Sequence, residues 1–467
     1  MLTMQKCVST GLLALSLLLP AGAYAQEKTL PQSREQMQLS FAPLVKRTAG
    51  AVVNVYAERL IQRSNPFAGD PFFEQFFGQR MPNRSEKQSS LGSGVILSDK
   101  GLVVTNNHVI QGADDIKIAL ADGREYPSEV ILKDESMDLA VLRIKSKESF
   151  PVLKIANSDA VEVGDLVLAI GNPFGVGQTV TSGIVSGLAR NQVTNGDFGF
   201  FIQTDASINP GNSGGALMNT NGELIGINTA IFSRGGGSNG VGFAIPGNLV
   251  NVFLKAAEEG KSTFERPYVG ATFMPVTSEV AEALGLKMAR GALVTAVVEG
   301  GPADKGGLKP GEVITAVNGI AVEHPDALGY RLTTAGLGKS AELTVVQSSG
   351  ERKLTIALNT APETTPRDER LIEGRNPFAG LRVANLSPKL ASEMQLTADK
   401  TGVVVTDIAR NSPAARVGFQ LKDIIISLNG DPVKSSKEME DILKDSDPGF
   451  WRLEIERDGK RIRQFFR

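Results

Sequence analysis

Short apolar runs dominate the chain from Leu91 to Ile245. Gly94-Val-Ile-Leu97, Leu102-Val-Val-Thr105, Ile116-Lys-Ile-Ala-Leu120, Ala140-Val-Leu-Arg-Ile144 and Leu166-Val-Leu-Ala-Ile170 are apolar or alternate apolar with polar. Turn formers such as Asp122-Gly123 and Asn221-Gly222 bound them, a pattern of strands rather than helices. So many short strands within about 150 residues predict a closed all-β architecture built as barrels. Leu249 to Glu259 then reads as one amphipathic helix stopped by Gly260.

Beyond that helix the chain repeats itself. Gly291-Ala-Leu-Val-Thr295 matches Gly402-Val-Val-Val-Thr406, and Pro302-Ala303 matches Pro413-Ala414. Gly307, Ile314 and Asn318-Gly319 match Gly418, Ile425 and Asn429-Gly430, always at the same separation of 111 residues. A constant offset marks two copies of one module. Between them, residues 359–370 (NTAPETTPRDER) are rich in Pro, Thr and charge and lack apolar period. They are expected to form a flexible linker spanning on the order of 20 Å, which leaves the last module free to move. A length of 467 residues allows two to four domains. The pattern divides them as 41–262, 263–358 and 371–467, with a polar lead over 26–40.

Residues 1–25 read as a secretory signal: Lys6, an apolar stretch from Gly11 to Pro20, and the small-residue cleavage site Ala23-Tyr24-Ala25. The apolar run is short for a bilayer span, which takes about 20 residues, so no stable membrane anchor is expected. Cleavage after Ala25 would remove Cys7, the sole cysteine, and leave an exported mature chain without thiol chemistry. One Cys and two His also exclude a disulfide framework and a thiolate or imidazole metal centre, so no metal or other cofactor is expected. A formal charge of −2 argues against nucleic acid as a partner.

The chemistry concentrates in Asn209-Pro-Gly-Asn-Ser-Gly-Gly215. Glycines on both sides of Ser213 allow the tight backbone turn that a nucleophile needs. The string also satisfies G-x-S-x-G, but that elbow requires a following helix, and here Ala216-Leu-Met, Asn221-Gly222 and Glu223-Leu-Ile-Gly-Ile read as strand, turn, strand. The order His, Asp, Ser fits better: His108 ends a strand in Val104-Thr-Asn-Asn-His-Val-Ile110, and Asp138 precedes another in Ser136-Met-Asp-Leu-Ala-Val141. His108, Asp138 and Ser213 are therefore the candidate catalytic residues.

Thr105-Asn-Asn-His-Val109, Asp138-Leu-Ala-Val141, Gly211-Asn-Ser-Gly-Gly-Ala-Leu217 and Gly242-Phe-Ala-Ile-Pro246 resemble the HtrA family of serine proteases. The two repeats resemble PDZ domains, and the whole plan is most similar to the periplasmic Do-type members. The resemblance implies a mainly β fold: a chymotrypsin-like double β-barrel followed by two PDZ domains. It implies an oxyanion hole from the backbone N–H groups of Gly211 and Ser213. Asn212 stands where digestive-type relatives carry an Asp, so activation by an inserted N-terminus is not expected. The specificity pocket should include Ser207, Ile208, Thr229 and Ala230, which offer no carboxylate, so cleavage after small or medium aliphatic residues is expected.

In the first repeat Arg266-Pro-Tyr-Val-Gly-Ala271 matches a PDZ carboxylate loop, with Tyr268, Val269 and Gly270 lining it. Phe378-Ala-Gly-Leu381 is the weaker match in the second, which leaves that copy's part in peptide capture open. His324 is expected on the surface of the first repeat. Residues 60–90 form an expected long loop holding Phe67, Phe72, Phe73, Phe76 and Phe77, which by resemblance reaches a neighbouring subunit. Residues 171–177, 189–199 and 233–240 read as regulatory loops. The family implies a homotrimer, with larger assemblies open, whose partners are unfolded or misfolded proteins and their C-terminal peptides. The expected activity is ATP-independent degradation of such proteins; a holdase chaperone, or a protease dedicated to one membrane regulator, are the alternatives.

Overall fold

The structure is a computed structural model that describes residues 40–62, 85–172, 177–190, 199–209, 211–231, 238–397, 400–445 and 450–466. The chain divides into two compact units, Met1–Pro43 and Leu44–Arg467. Residues 40–43 are the described part of the first; everything below belongs to the second.

Twelve strands build two closed barrels. The first holds β1 (Val52–Gln62), β2 (Ser85–Ile96), β3 (Leu102–Thr105), β4 (Asp115–Ala119), β5 (Glu125–Asp134) and β6 (Leu139–Ile144). The second holds β7 (Leu166–Gly171), β8 (Thr179–Arg190), β9 (Phe201–Thr204), β10 (Ala216–Met218), β11 (Leu224–Ile231) and β12 (Gly242–Pro246). Around the barrels the orders are β1-β2-β3-β6-β5-β4 and β10-β11-β12-β9-β8-β7. The mainly β double barrel expected from the sequence is what the chain forms.

Strand periodicity explains why the runs are apolar on both faces. Successive side chains point to opposite faces of a strand. Val53, Val55, Val103, Ala140 and Leu142 fill the first barrel, and Val167, Ala169, Leu217 and Ala244 the second. Their neighbours Val52, Leu102, Val104, Val141, Leu168, Ile170, Ala216, Met218 and Ile245 turn outward into one shared core between the barrels. A strand that must satisfy both cores cannot alternate with polar residues. The shared core continues through Leu249, Val250, Phe253 and Leu254 of the helix Gly247–Glu258 into the first repeat.

The β1–β2 ladder pairs Gln62 with Ser85, so strand continues into both ends of the segment expected as a loop over 60–90. Its five phenylalanines lie outside the described residues, as do 173–176, 191–198 and 233–237 of the expected regulatory loops.

Each repeat folds as an antiparallel sheet with one long helix. Strands Ala292–Val297 and Val313–Val317 and the helix starting at Pro325 recur 111 residues later as Val403–Ile408, Ile424–Leu428 and the helix starting at Ser436. A buried ion pair is duplicated too. Arg352 chelates Glu312 at 2.8 and 2.9 Å and donates to the Gly307 carbonyl, while Arg457 pairs with Asp423 at 2.6 Å and donates to the Gly418 carbonyl. His324 is not a free surface residue. It caps the helix Pro325–Ala335, its Nδ1 accepting from the Ala327 N–H at 3.3 Å.

The expected flexible linker is instead pinned. Tyr268 N–H donates to the Asn359 carbonyl, Lys389 N–H to Pro362, and Asn385 N–H to Arg367, while Ser387 Oγ donates to Glu363. Pro-rich, charged composition signals loss of helix and core, but extended Pro-rich chain is also well shaped for lying along a sheet edge.

Candidate active site

His108 sits in the one-turn helix Asn107–Ile110 that follows β3, and Asp138 in the turn that leads into β6. Antiparallel pairing of Thr105 with Ala140 brings these two ends together. Asp138 has φ 54°, a left-handed conformation that Asp tolerates better than most side chains. The turn is locked from outside: the Asn107 N–H and the Asn106 side-chain amide both donate to the Asp138 carbonyl, at 3.1 and 3.0 Å.

The Asp138 carboxylate accepts from His108 Nδ1 at 2.8 Å, from the His108 backbone N–H at 2.9 Å, and from Thr229 Oγ1 at 2.6 Å. A carboxylate can only accept, so Nδ1 carries the hydrogen, and in the neutral imidazole Nε2 is the acceptor. The imidazole is 47% exposed and its partner carboxylate 24%, so solvent reaches this pair.

Ser213 comes from the other barrel, in the loop before β10. Its Oγ donates to the Thr229 carbonyl at 3.3 Å, and among the described residues it makes no hydrogen bond to His108. Thr229 thus touches both halves of the site, its hydroxyl on Asp138 and its carbonyl on Ser213. The sequence had placed Thr229 in the specificity pocket; its hydroxyl is turned away to Asp138. Ile208, the other large pocket candidate, is 1% exposed and packs in the core of the second barrel. Ser207 is half-buried, its carbonyl accepting from Thr181 Oγ1 at 2.9 Å. The Ala230 side chain lies outside the described residues.

Sequence reasoning missed Ser93. Wholly buried in β2, it donates its hydroxyl to the Gly211 carbonyl at 2.5 Å and accepts from the Asn172 N–H at 2.8 Å. Its own N–H donates to the Ser213 carbonyl at 2.8 Å. One residue of the first barrel therefore holds the carbonyls on both sides of Asn212. Among the described residues no protein acceptor takes the N–H groups of Gly211 or Ser213. The loop has no slack: a Cβ on Gly214 (φ +81°) would stand 2.1 Å from the Ser93 carbonyl oxygen and 2.3 Å from Thr105 Oγ1. The one available signal was Gly92-Ser-Gly94, a polar residue between glycines in a strand buried on both faces.

Comparison with known proteins decides the family. A trypsin-like peptidase domain model matches residues 92–227, and PDZ domain models match 293–347 and 378–463. The periplasmic serine endoprotease DegP of Salmonella typhimurium is 38% identical over 96% of this chain and 97% of its own. The periplasmic pH-dependent serine endoprotease DegQ of Escherichia coli is 37% identical over 96% of each. The chain belongs to the HtrA-type serine endoproteases. A solved structure of the HtrA-type protease AlgW with a decapeptide superposes at TM-score 0.53 with 42% identity, covering 69% of this chain and 99% of that one.

In this HtrA-type chain the first PDZ domain packs on the protease barrels. Tyr330 stacks on Phe200, with ring centroids 3.9 Å apart and planes 8° from parallel. Its hydroxyl donates to Asp159 at 2.9 Å, and Arg331 pairs with the same carboxylate at 2.6 Å. Burial, reinforced by Asp159, pushes the Tyr330 phenol far above its ordinary range, so it stays a neutral donor. Arg266 reaches Asp134 at the end of β5 and Ser136 in the turn that carries Asp138. Of the expected peptide-loop residues, Tyr268 is corrected: its N–H is taken by Asn359, and its ring is buried beneath Gly270. Burial also raises the Tyr268 phenol. Val269 lines a groove of about 340 Å³, with Ala271, Phe273, Leu328 and Leu332, and Gly270 turns the loop at φ +70°.

Proposed function

We propose that the chain is an ATP-independent endopeptidase that degrades unfolded or misfolded proteins of the bacterial periplasm, with His108, Asp138 and Ser213 as its catalytic residues. The observation that carries this is the hydrogen-bonded chain His108–Asp138–Thr229–Ser213 spanning the two barrels. His108 Nε2, left as an acceptor by the Asp138 bond at Nδ1, takes the Ser213 proton as Oγ attacks a peptide carbonyl, then gives it to the leaving amine. The rotation that brings Ser213 Oγ from the Thr229 carbonyl to Nε2 accompanies substrate binding. The unclaimed N–H groups of Gly211 and Ser213 receive the oxyanion, each donor worth about 3–4 kcal/mol of barrier.

Ser207 and the strand around Thr229 and Ala230 bring no carboxylate to the specificity pocket, so cleavage follows small or medium aliphatic residues. The first PDZ groove takes C-terminal peptides of substrates as an added strand, in keeping with its relative solved with a decapeptide. Residues 1–25 direct export and are removed after Ala25, and the mature protein assembles as a homotrimer. Among the described residues no helix is long and apolar enough to cross a membrane.

Casein degradation by the wild type and by Ser213→Ala tests the reading. Complete loss in a folded variant is expected; degradation at the wild-type rate would overturn it. N-terminal sequencing of exported protein should start at Gln26, and light scattering should give three chains.

A further inference from the structure

The two PDZ domains differ at one edge. In the first, strand Ala271–Pro275 pairs along one side with Ala292–Val297, and its other side opens on the groove beside helix Pro325–Ala335. Strand Leu381–Asn385 is its counterpart in the second. It pairs with Val403–Ile408 as expected, but its groove edge is already occupied by the chain's own residues 367–372.

The occupation has the form of a bound ligand. Arg370 pairs with Val383 and Leu371 with Arg382, antiparallel. Asn385 N–H donates to the Arg367 carbonyl at 2.7 Å and Ile372 N–H to the Leu381 carbonyl at 2.8 Å. The far side of the segment faces the helix Ser436–Asp445, where Ser436 Oγ donates to the Asp368 carbonyl at 2.7 Å and Arg370 pairs with Glu440 at 2.5 Å. Ile372, 2% exposed, packs in the cluster that contains Phe378, Leu381, Met439 and Leu443.

The segment ends where a peptide terminus would sit. Gly380 N–H donates to the Ile372 carbonyl at 2.8 Å. Gly380 corresponds to Gly270 of the first domain: Val298 N–H donates to the Gly270 carbonyl and Ala409 N–H to that of Gly380, both at 2.8 Å. A strand antiparallel to the sheet edge, with a buried apolar last residue whose carbonyl meets the glycine loop, is how a PDZ domain receives a C-terminal peptide.

We infer that residues 367–372 are a built-in ligand of the second PDZ domain, a tethered apolar-ended strand that fills its peptide groove. Substrate termini are then captured by the first domain alone, a consequence that rests on the reading of the first groove given above. Tethering gives the segment an effective concentration of about mM. A free peptide of equal affinity at about 0.1 mM therefore displaces roughly a tenth of it.

The test uses a synthetic decapeptide with the sequence of residues 363–372 and a free carboxylate, added at about 0.1 mM to the full chain. Amide hydrogen exchange is read over 381–385. The wild type should gain no protection there, because the edge is already paired. Ile372→Asp, which puts a charge into the buried anchor position, should expose 381–385 and regain protection when the peptide is added. Strong added protection over 381–385 in the wild type would overturn the inference. So would an Ile372→Asp chain whose 403–408 exchange matches wild type but whose 381–385 stays protected without peptide. Should that variant fail to fold, the wild-type arm decides by itself. Protection over 271–275 reports separately on the first groove, and its absence there counts against that groove's reading rather than against the tethered ligand.

Discussion

Replacing Thr229 by valine removes one hydroxyl and keeps the side chain's shape, so it isolates the 2.6 Å hydrogen bond to Asp138. Among the described residues the carboxylate would keep its bonds from His108, at 2.8 Å through the ring and 2.9 Å through the backbone. A hydrogen bond to a charged group contributes about 1.5–3 kcal/mol. Asp138 is 24% exposed, so water partly replaces the lost donor, and the lower half of that range, about 1.5–2 kcal/mol, applies. At about 1.4 kcal/mol per tenfold in rate, kcat/KM should fall about 10–30-fold. The loss should sit in kcat with KM unchanged, because the carboxylate orients the imidazole and touches no substrate. Fluorogenic peptide kinetics alongside a thermal melt measure this, and Thr229→Ser, which restores the hydroxyl, should recover most of the rate. A Thr229→Val enzyme within about twofold of wild type would refute the claim that Thr229 holds the triad carboxylate.

Ser93→Ala strands the Gly211 carbonyl and the Asn172 N–H, and kcat should drop about 100-fold, the scale of losing one oxyanion donor; active-site titration corrects for the folded fraction. Gly214→Ala should abolish casein degradation, since the added methyl meets backbone at 2.1 Å, whereas Gly123→Ala, with φ +88° and open space around it, should cost no more than about 1–2 kcal/mol of thermal stability and leave activity intact. Arg457→Ala leaves Asp423, with its fully buried side chain, without its partner and should destabilise the second PDZ domain by about 3–5 kcal/mol. In a domain of that size this lowers Tm by more than about 10 °C, read by calorimetry, while peptide cleavage by the barrels persists.

The barrels were legible because both faces of nearly every central strand are buried, so Leu102-Val-Val-Thr105 and Leu166-Val-Leu-Ala-Ile170 could be little else. The repeat was legible because its turns need Gly and Asn at fixed places, and it holds from Gly291 through strand Trp451–Arg457. His108 and Asp138 stood out by residue type, and strand pairing brought them together. Thr229 and Ser93 did not, because a hydroxyl's role depends on which way it turns across a barrel interface, which no local pattern encodes. Residues 359–370 looked like free linker for a related reason: pairing along 381–385 is a long-range contact, and the composition that breaks helices says nothing about an available sheet edge.

The central claim is that Ser213 is the nucleophile activated by His108. Incubation with a fluorophosphonate followed by peptide mass spectrometry tests it most directly. The account predicts a single adduct on Ser213 in the wild type and none in Ser213→Ala, with His108→Ala slowing labelling by at least about 100-fold. An adduct on another residue, or labelling of Ser213 at an unchanged rate without His108, would contradict it.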